Sequence, residues 1–247
     1  MTNARAPARP TSQPIGAIVL AAGRSQRMQA LGTPKQLLPL AGRPLITYAV
    51  GAICASAAAP VVIVLGAEAA PVQAALDAWA AMAPTVAAPT VAAPTAMNEA
   101  PAGSAVASAS GGRYQCVVNS DFAQGMASSL RVGLAALRAQ APQTPGALIA
   151  LADQPLVTPA IITALLATAQ TQPGAIIAAS YDGQRGHPII FPSDLFDELA
   201  QVTGDEGGRS VIARHADRLH LVAIADSRAA LDVDRPEDYA TIRAWFA

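Results

Sequence analysis

One lysine, Lys35, stands among fifteen arginines in this chain. Lysine carries a compact, strongly hydrated point charge on a flexible stem, whereas arginine presents a planar fork, so a position that keeps lysine against such a bias points to one anionic oxygen that must be reached. Arg24, Arg27 and Lys35 all follow LAAG (20–23), within thirteen residues of the end of an apolar run at Ala22. Small residues there let backbone N–H groups approach a ligand, and the set suits a polyphosphate. A solvated loop would explain any one of the arginines but leaves the lysine unexplained. Neither GxGxxG nor GxxxxGK[ST] occurs, which disfavours a dinucleotide fingerprint and a Walker loop.

Carboxylates supply the second half of the chemistry. GALIALADQP puts Asp153 at the end of a fully apolar run, where a carboxylate is costly to bury unless it is paired, hydrogen-bonded or on a metal. A helix cap is the competing role, but Thr158 already stands at the start of the next amphipathic stretch. LDVDRPEDY supplies Asp232 and Asp234, alternating so that their side chains share one face of an extended segment. A capping role for Asp234, just ahead of Pro236, is compatible with a ligand role. Magnesium binds through one or two carboxylates plus substrate phosphates and keeps several waters, so one acid from mid-chain and one from the end meets its needs. Taken singly, Ser128 and Ser129 read as caps and His187 as a structural histidine.

Residues so far apart in sequence need a scaffold to bring them together. With 52% apolar and 13% charged residues, a 247-residue chain has enough apolar material for a sizeable core. Net charge is -1 and no basic tract occurs, so neither nucleic acid nor an anionic membrane surface is an expected partner. Apolar runs are strand-sized and no signal core opens the chain, which predicts a cytoplasmic protein. Cys54 and Cys116, far apart and without CxxC spacing, read as small core residues.

Six apolar runs (15–22, 60–66, 114–119, 146–153, 174–182, 219–225) read as strands and alternate with amphipathic stretches (44–56, 71–82, 125–140, 158–170, 235–246) that read as helices. Pro44, Pro71, Pro159 and Pro236 support the helix starts. The alternation predicts an α/β fold with a mostly parallel sheet, whose ligands sit beyond the carboxyl ends of the strands. Residues 1–14 read as a disordered arm, and about 83–112, with APTVA twice over, as a flexible low-complexity insert in a single domain spanning 15–247. A linker between two domains is the alternative.

LAAGRSQRM followed by Lys35 in TPKQLLPLAGRPL resembles the MobA-like nucleotidyltransferases, departing from their pattern at Gln29, where glycine is usual. The resemblance implies a Rossmann-like three-layer α/β/α sandwich of the nucleotide-diphospho-sugar transferase type. It implies that Leu20, Ala21, Ala22 and Gly23 meet the nucleotide, that Arg24, Arg27 and Lys35 hold its triphosphate, and that Mg²⁺ sits on Asp153 with Asp232, Asp234 or both. NSDFAQGMASSL (119–130), LADQP (151–155), GHP (186–188) and GDEGGR (204–209) resemble the series in molybdenum cofactor cytidylyltransferases, with Phe122 for tryptophan, Ala127 for serine and Gly208 for alanine. By that likeness Gly125, Ser128 and Ser129 lie near base and ribose, and His187, Asp205 and Arg209 face a pterin-side substrate.

The activity so implied is attack of the terminal phosphate of molybdopterin, with or without molybdenum, on the α-phosphorus of CTP. Pyrophosphate leaves, and a molybdenum hydroxylase is a candidate recipient of the product. Arg24, Arg27, Lys35 and Asp153 are the expected catalytic residues, and no general base is needed because the nucleophile is already an oxyanion. Rival readings are the same chemistry with GTP or another phosphorylated acceptor, and a non-catalytic accessory protein for the molybdenum cofactor. The second would need GHP and GDEGGR but not Lys35 or the aspartates.

Overall fold

The computed structural model describes residues 13–23, 26–82, 106–110 and 113–246. The chain runs β1 (Gly16–Ala21), β2 (Pro39–Leu40), β3 (Arg43–Pro44), α1 (Ile46–Cys54), β4 (Val61–Leu65), α2 (Ala69–Met82), β5 (Val106–Ser110) and β6 (Tyr114–Val118). It continues with α3 (Met126–Gln140), β7 (Gly146–Leu151), α4 (Pro159–Thr171), β8 (Ile176–Tyr181), β9 (Gln184–Pro192), α5 (Phe196–Gln201), α6 (Arg209–Arg214), β10 (Leu219–Ile224) and α7 (Pro236–Trp245).

Eight strands form one sheet in the order β10-β8-β9-β7-β1-β4-β6-β5. β1 pairs in parallel with β4 and β7, β4 with β6, and β8 with β10. β9 runs antiparallel between β7 and β8, and β5 runs antiparallel to β6 at the edge. All six residues of β1 are buried, as expected of a central strand covered on both faces, and this is why it reads as an unbroken apolar run. Ala17, Val19 and Ala21 pack into one core with side chains of α1, α2 and α4. Ile18 and Leu20 join the other, with side chains of α3, α5 and α6. The result is the expected three-layer α/β/α sandwich.

A third, smaller core has direct consequences for the site. Met28, Leu38, Leu40 and Leu45, from the segment after β1, pack with Val233, Tyr239 and Ile242 around the start of α7. Tyr239 Oη donates to the Pro39 carbonyl in the same seam. Residues some two hundred positions apart in sequence are thereby held side by side, and Lys35 and Asp234 are among them.

The elements differ from the sequence expectation in several places. β9, α5 and α6 were not anticipated: β9 opens on exposed Gln184 and Arg185 and contains Gly186 and Pro188, which are turn signals rather than strand signals, and the two helices have six residues each. Within the low-complexity insert, 106–110 forms an edge strand on β6 rather than a loop, because an edge strand of small residues needs only backbone pairing; 83–105 and 111–112 lie outside the described residues. The arm lies outside them as well, except for Gln13 and Pro14. Pro44 pairs with Pro39 in the β2–β3 ladder, and α1 begins two residues later. Thr158 does cap α4, its hydroxyl accepting from the Ile161 N–H at 3.4 Å.

Candidate nucleotide-binding site

The carboxyl ends of β1 and β7 open into a cavity of about 350 Å³. Leu20, Ala22 and Gly23 form one wall, Leu151 and Asp153 the next, and Phe122, Gly125, Met126, Ser129 and Asp205 the wall opposite. Apolar surface with a few convergent polar groups is the usual make-up of a small-molecule site.

Lys35 lies on a single 3₁₀ turn, Lys35–Leu37, and is 9% exposed. Its Nζ donates to Asp153 Oδ2 at 2.6 Å and to Asp234 Oδ1 at 2.8 Å. Burial pulls the ammonium pKa down, but Asp153 and then Asp234 outweigh it and hold the group above its ordinary value. Lys35 in turn holds the Asp234 carboxyl below the usual range, burial opposes, and Arg27 and Arg235 assist. The side chain of Asp153 is 21% exposed and that of Asp234 49% exposed.

Asp232 behaves differently. Burial, then the charge of Asp153, pushes its carboxyl up to about 6, although Gln154 hydrogen-bonds to it. Asp232 Oδ1 and Asp153 Oδ1 are both buried without a hydrogen-bond partner. Orphaned carboxylate oxygens of this kind are costly unless something positive approaches them. Among the described residues no group of three or more acidic, histidine or cysteine side chains is arranged to hold a metal. Two carboxylate donors are enough for a hard divalent ion whose remaining ligands are phosphate and water, so Asp153 and Asp232 fit such an ion.

Asp234 does not cap α7, contrary to one expectation. The carboxylate of Asp238 accepts the Arg235 and Asp234 N–H groups at 2.8 and 3.1 Å, leaving the Asp234 carboxylate to Lys35.

On the opposite wall, Asn119 Nδ2 donates to Ser128 Oγ at 2.8 Å and to Ser129 Oγ at 3.0 Å. Ser128 Oγ donates to the carbonyls of Gly125 and Asp121 and organises the start of α3, while Ser129 faces the cavity. Gly125 has φ +98, and a Cβ there would meet Gly204 at 2.6 Å and Asp205 Oδ1 at 2.7 Å. Asp205 Oδ1 accepts the Met126 N–H at 3.0 Å and Gly204 O the Ala127 N–H at 3.0 Å, so the GDEGGR segment docks on the start of α3.

The other expected residues lie around this centre. His187 and the exposed Arg209 lie outside the cavity wall. Burial, then Arg209 and Arg185, pushes the His187 imidazole down to about 4, so it is neutral at pH 7. Gly208 is required by its neighbour, since a Cβ would lie 2.4 Å from the Phe191 ring. Arg27 is exposed, close enough to act on Asp234, and Arg24 lies outside the described residues. Gln36 and Asn119, both buried and both bonded to the site's walls, were missed as site residues; each sits inside a motif, but a buried amide has no sequence signature.

The family model for MobA-like NTP transferase domains matches residues 17–219, most of the chain. This chain belongs to that family. The MobA-like protein is a nucleotidyltransferase. It is 29% identical over 231 residues to nicotine blue oxidoreductase of Paenarthrobacter nicotinovorans, covering 90% of this chain and 93% of that one. It is 32% identical over 209 residues to 2-C-methyl-D-erythritol 4-phosphate cytidylyltransferase of Thermobifida fusca, covering 84% of this chain and 65% of the relative. Rv0371c of Mycobacterium tuberculosis superposes with a TM-score of 0.70 at 28% identity, covering 95% of this chain and 99% of its own. A second structure of Rv0371c, a complex with manganese, superposes with a TM-score of 0.65 at 27% identity, covering 94% and 99%. Among the described residues no helix is long and apolar enough to cross a membrane.

Proposed function

We propose that this nucleotidyltransferase moves CMP from CTP to the terminal phosphate of molybdopterin or its molybdenum form, in the cytoplasm and with Mg²⁺. The observation that carries the transfer chemistry is Lys35, bonded to Asp153 at 2.6 Å where Asp153 enters the cavity. An ammonium has three hydrogens; two are engaged by Asp153 and Asp234, and the third is available to a phosphate oxygen. Choice of cytosine and of the pterin acceptor is supported by the likeness of GMASSL, LADQP, GHP and GDEGGR to the cytidylyltransferase series.

In this reading an acceptor phosphate oxygen attacks the α-phosphorus of CTP, the bond from that phosphorus to the bridging oxygen breaks, and pyrophosphate departs with the electron pair. Lys35 and Arg27 stabilise the charge moving onto the leaving group. Ala22, Gly23 and Ser129 hold the nucleotide in line, because such a step asks for positioning more than for covalent help. Asp153 with the carboxylates of the 232–234 segment would hold Mg²⁺, which when bound supplies a Lewis acid that screens the phosphate oxygens. His187, neutral at pH 7, contributes no charge of its own to an acceptor.

Incubation with each of the four NTPs, Mg²⁺ and molybdopterin tests this directly. Pyrophosphate release with CTP alone is expected. Release with GTP alone would replace the base, and release with none would overturn the reading. The extensive match to an enzyme named nicotine blue oxidoreductase favours one second reading, a redox reaction, and such a reaction releases no pyrophosphate.

A further inference from the structure

We infer that the two aspartates of the Asp232–Val233–Asp234 segment have separate duties: Asp232 joins Asp153 as the cation-facing pair, while Asp234 is a positioning residue that aims Lys35. The inference rests on the metal-assisted reading above and refines it, since that reading leaves the carboxylates of 232 and 234 interchangeable.

The geometry separates them. Val233 is fully buried in the third core, and its N–H donates to the Asp153 carbonyl at 3.0 Å, so the segment is fixed in that core by its side chain and against the end of β7 by its backbone. The carboxylates on either side of Val233 then meet different surroundings. Asp234 Oδ1 receives Lys35 at 2.8 Å, and its side chain is half-exposed. Asp232 Oδ1 is buried with no partner, as is Asp153 Oδ1. Asp153 is thus divided between the two duties, with Oδ2 on Lys35 and Oδ1 without a bond of its own. Two orphaned anionic oxygens from neighbouring acids form an electrostatic sink for a divalent ion, and the ion needs no third carboxylate.

Asp234 matters because Lys35 has a long, rotatable stem. Held only by Asp153, the ammonium would be free to pivot about Asp153 Oδ2 and lose its aim at a phosphate oxygen. Held at two points, it keeps to one side, with one hydrogen left for a phosphate.

The test uses two readouts besides turnover on the full-length protein. The first is Mn²⁺ uptake followed by electron paramagnetic resonance. Asp232→Asn, with Asp232→Ser as a second form, is expected to weaken Mn²⁺ at least about ten-fold, and Asp234→Asn to change it less than about two-fold. The second exploits the lone lysine: after acylation, mass spectrometry reads Lys35 as the one side-chain amine of the chain. Asp234→Asn should speed its acylation several-fold, and Asp232→Asn should leave it within about two-fold. In turnover, Asp234→Asn should lower kcat by about 10²-fold, as a misplacement of about 1 Å does, with the metal dependence unchanged. Equal loss of Mn²⁺ in the 232 and 234 variants, or equal release of Lys35, overturns the division of labour. Absence of Mn²⁺ uptake by the unaltered protein overturns its cation half together with the metal reading. Failure to use CTP touches only the transfer reading.

Discussion

The side-chain amide of Gln36 donates to the Ala21 carbonyl at 3.1 Å and, with longer reach, to the Gly23 carbonyl at 3.4 Å. Gln36 is the neighbour of Lys35 on the same turn, so one buried amide ties the cavity wall of Ala22 and Gly23 to the turn that carries the cation. Gln36→Ala leaves these carbonyls without their donor, which costs about 1–3 kcal/mol, and lets wall and turn move apart. The expected outcome is a lower denaturation midpoint together with a KM for the nucleotide raised about ten-fold, the equivalent of about 1.4 kcal/mol. Gln36→Glu, which turns a donor into an acceptor facing carbonyls, should be worse on both counts.

Lys35→Met keeps the apolar stem and removes the charge. Circular dichroism should be unchanged, because the third core that seats this segment is made of other side chains. Turnover should fall by about 10²-fold or more, the effect of deleting one preorganised charge stabiliser. Lys35→Arg is expected not to restore it, since a planar fork cannot replace a point charge between two carboxylates. Full activity in Lys35→Met would show that the ammonium takes no part in turnover, and full activity in Lys35→Arg that any cation at this position suffices.

Much of this architecture is written in local pattern, and the exceptions have physical reasons. β1, β4 and β7 are legible because both their faces are buried, so apolar residues run without interruption. Lys35 and Asp153 are legible because each is the wrong residue for its surroundings, a lysine in an arginine-only chain and an acid at the end of an apolar strand. β9 is illegible because its pairing lies in the register against β7 and β8, while its own residues include Gly186 and Pro188. The separate roles of Asp232 and Asp234 are also illegible: alternation puts both on one face, and only the packing of Val233 and the reach of Lys35 tell them apart. Ser128 and Ser129 stand side by side in sequence, yet one organises the start of a helix and the other faces the cavity, a difference set by the Gly125 and Asp121 carbonyls that take the Ser128 hydroxyl.

His187 gives the protein an acid-side weakness of known sign. Its folded-state pKa of about 4 lies below the ordinary 6.5, with burial the first cause and Arg209 and Arg185 the next. Between those values the unfolded chain binds a proton that the folded chain refuses, so stability is fully present above pH 6.5 and is lost as pH falls toward 4. His187→Gln removes this term. Its melting temperature relative to the unaltered protein should therefore rise as pH is lowered from 7 to 4, measured in EDTA. A constant difference across that range would mean that the imidazole is free to take its proton in the folded state.

Gly125 is the hinge point at which the cavity's far wall is built. Its φ of +98 lies in the left-handed region, where a side chain is strained, and a Cβ would come within 2.6 Å of Gly204 and 2.7 Å of Asp205 Oδ1. Those atoms cannot retreat without loss, because Gly204 O and Asp205 Oδ1 hold the first N–H groups of α3. Gly125→Ala therefore combines backbone strain with separation of the 204–205 loop from the helix, an expected cost of about 2–3 kcal/mol. Urea denaturation should show that loss, and activity should fall even where the variant remains folded, since Gly125, Met126 and Asp205 all line the cavity. Removing only the loop contact, with Asp205→Ala, should weaken stability less than Gly125→Ala because it leaves φ unstrained and the Gly204 bond in place. If the two variants were equally destabilised, strain at Gly125 would contribute nothing and the docking of GDEGGR would account for the whole effect.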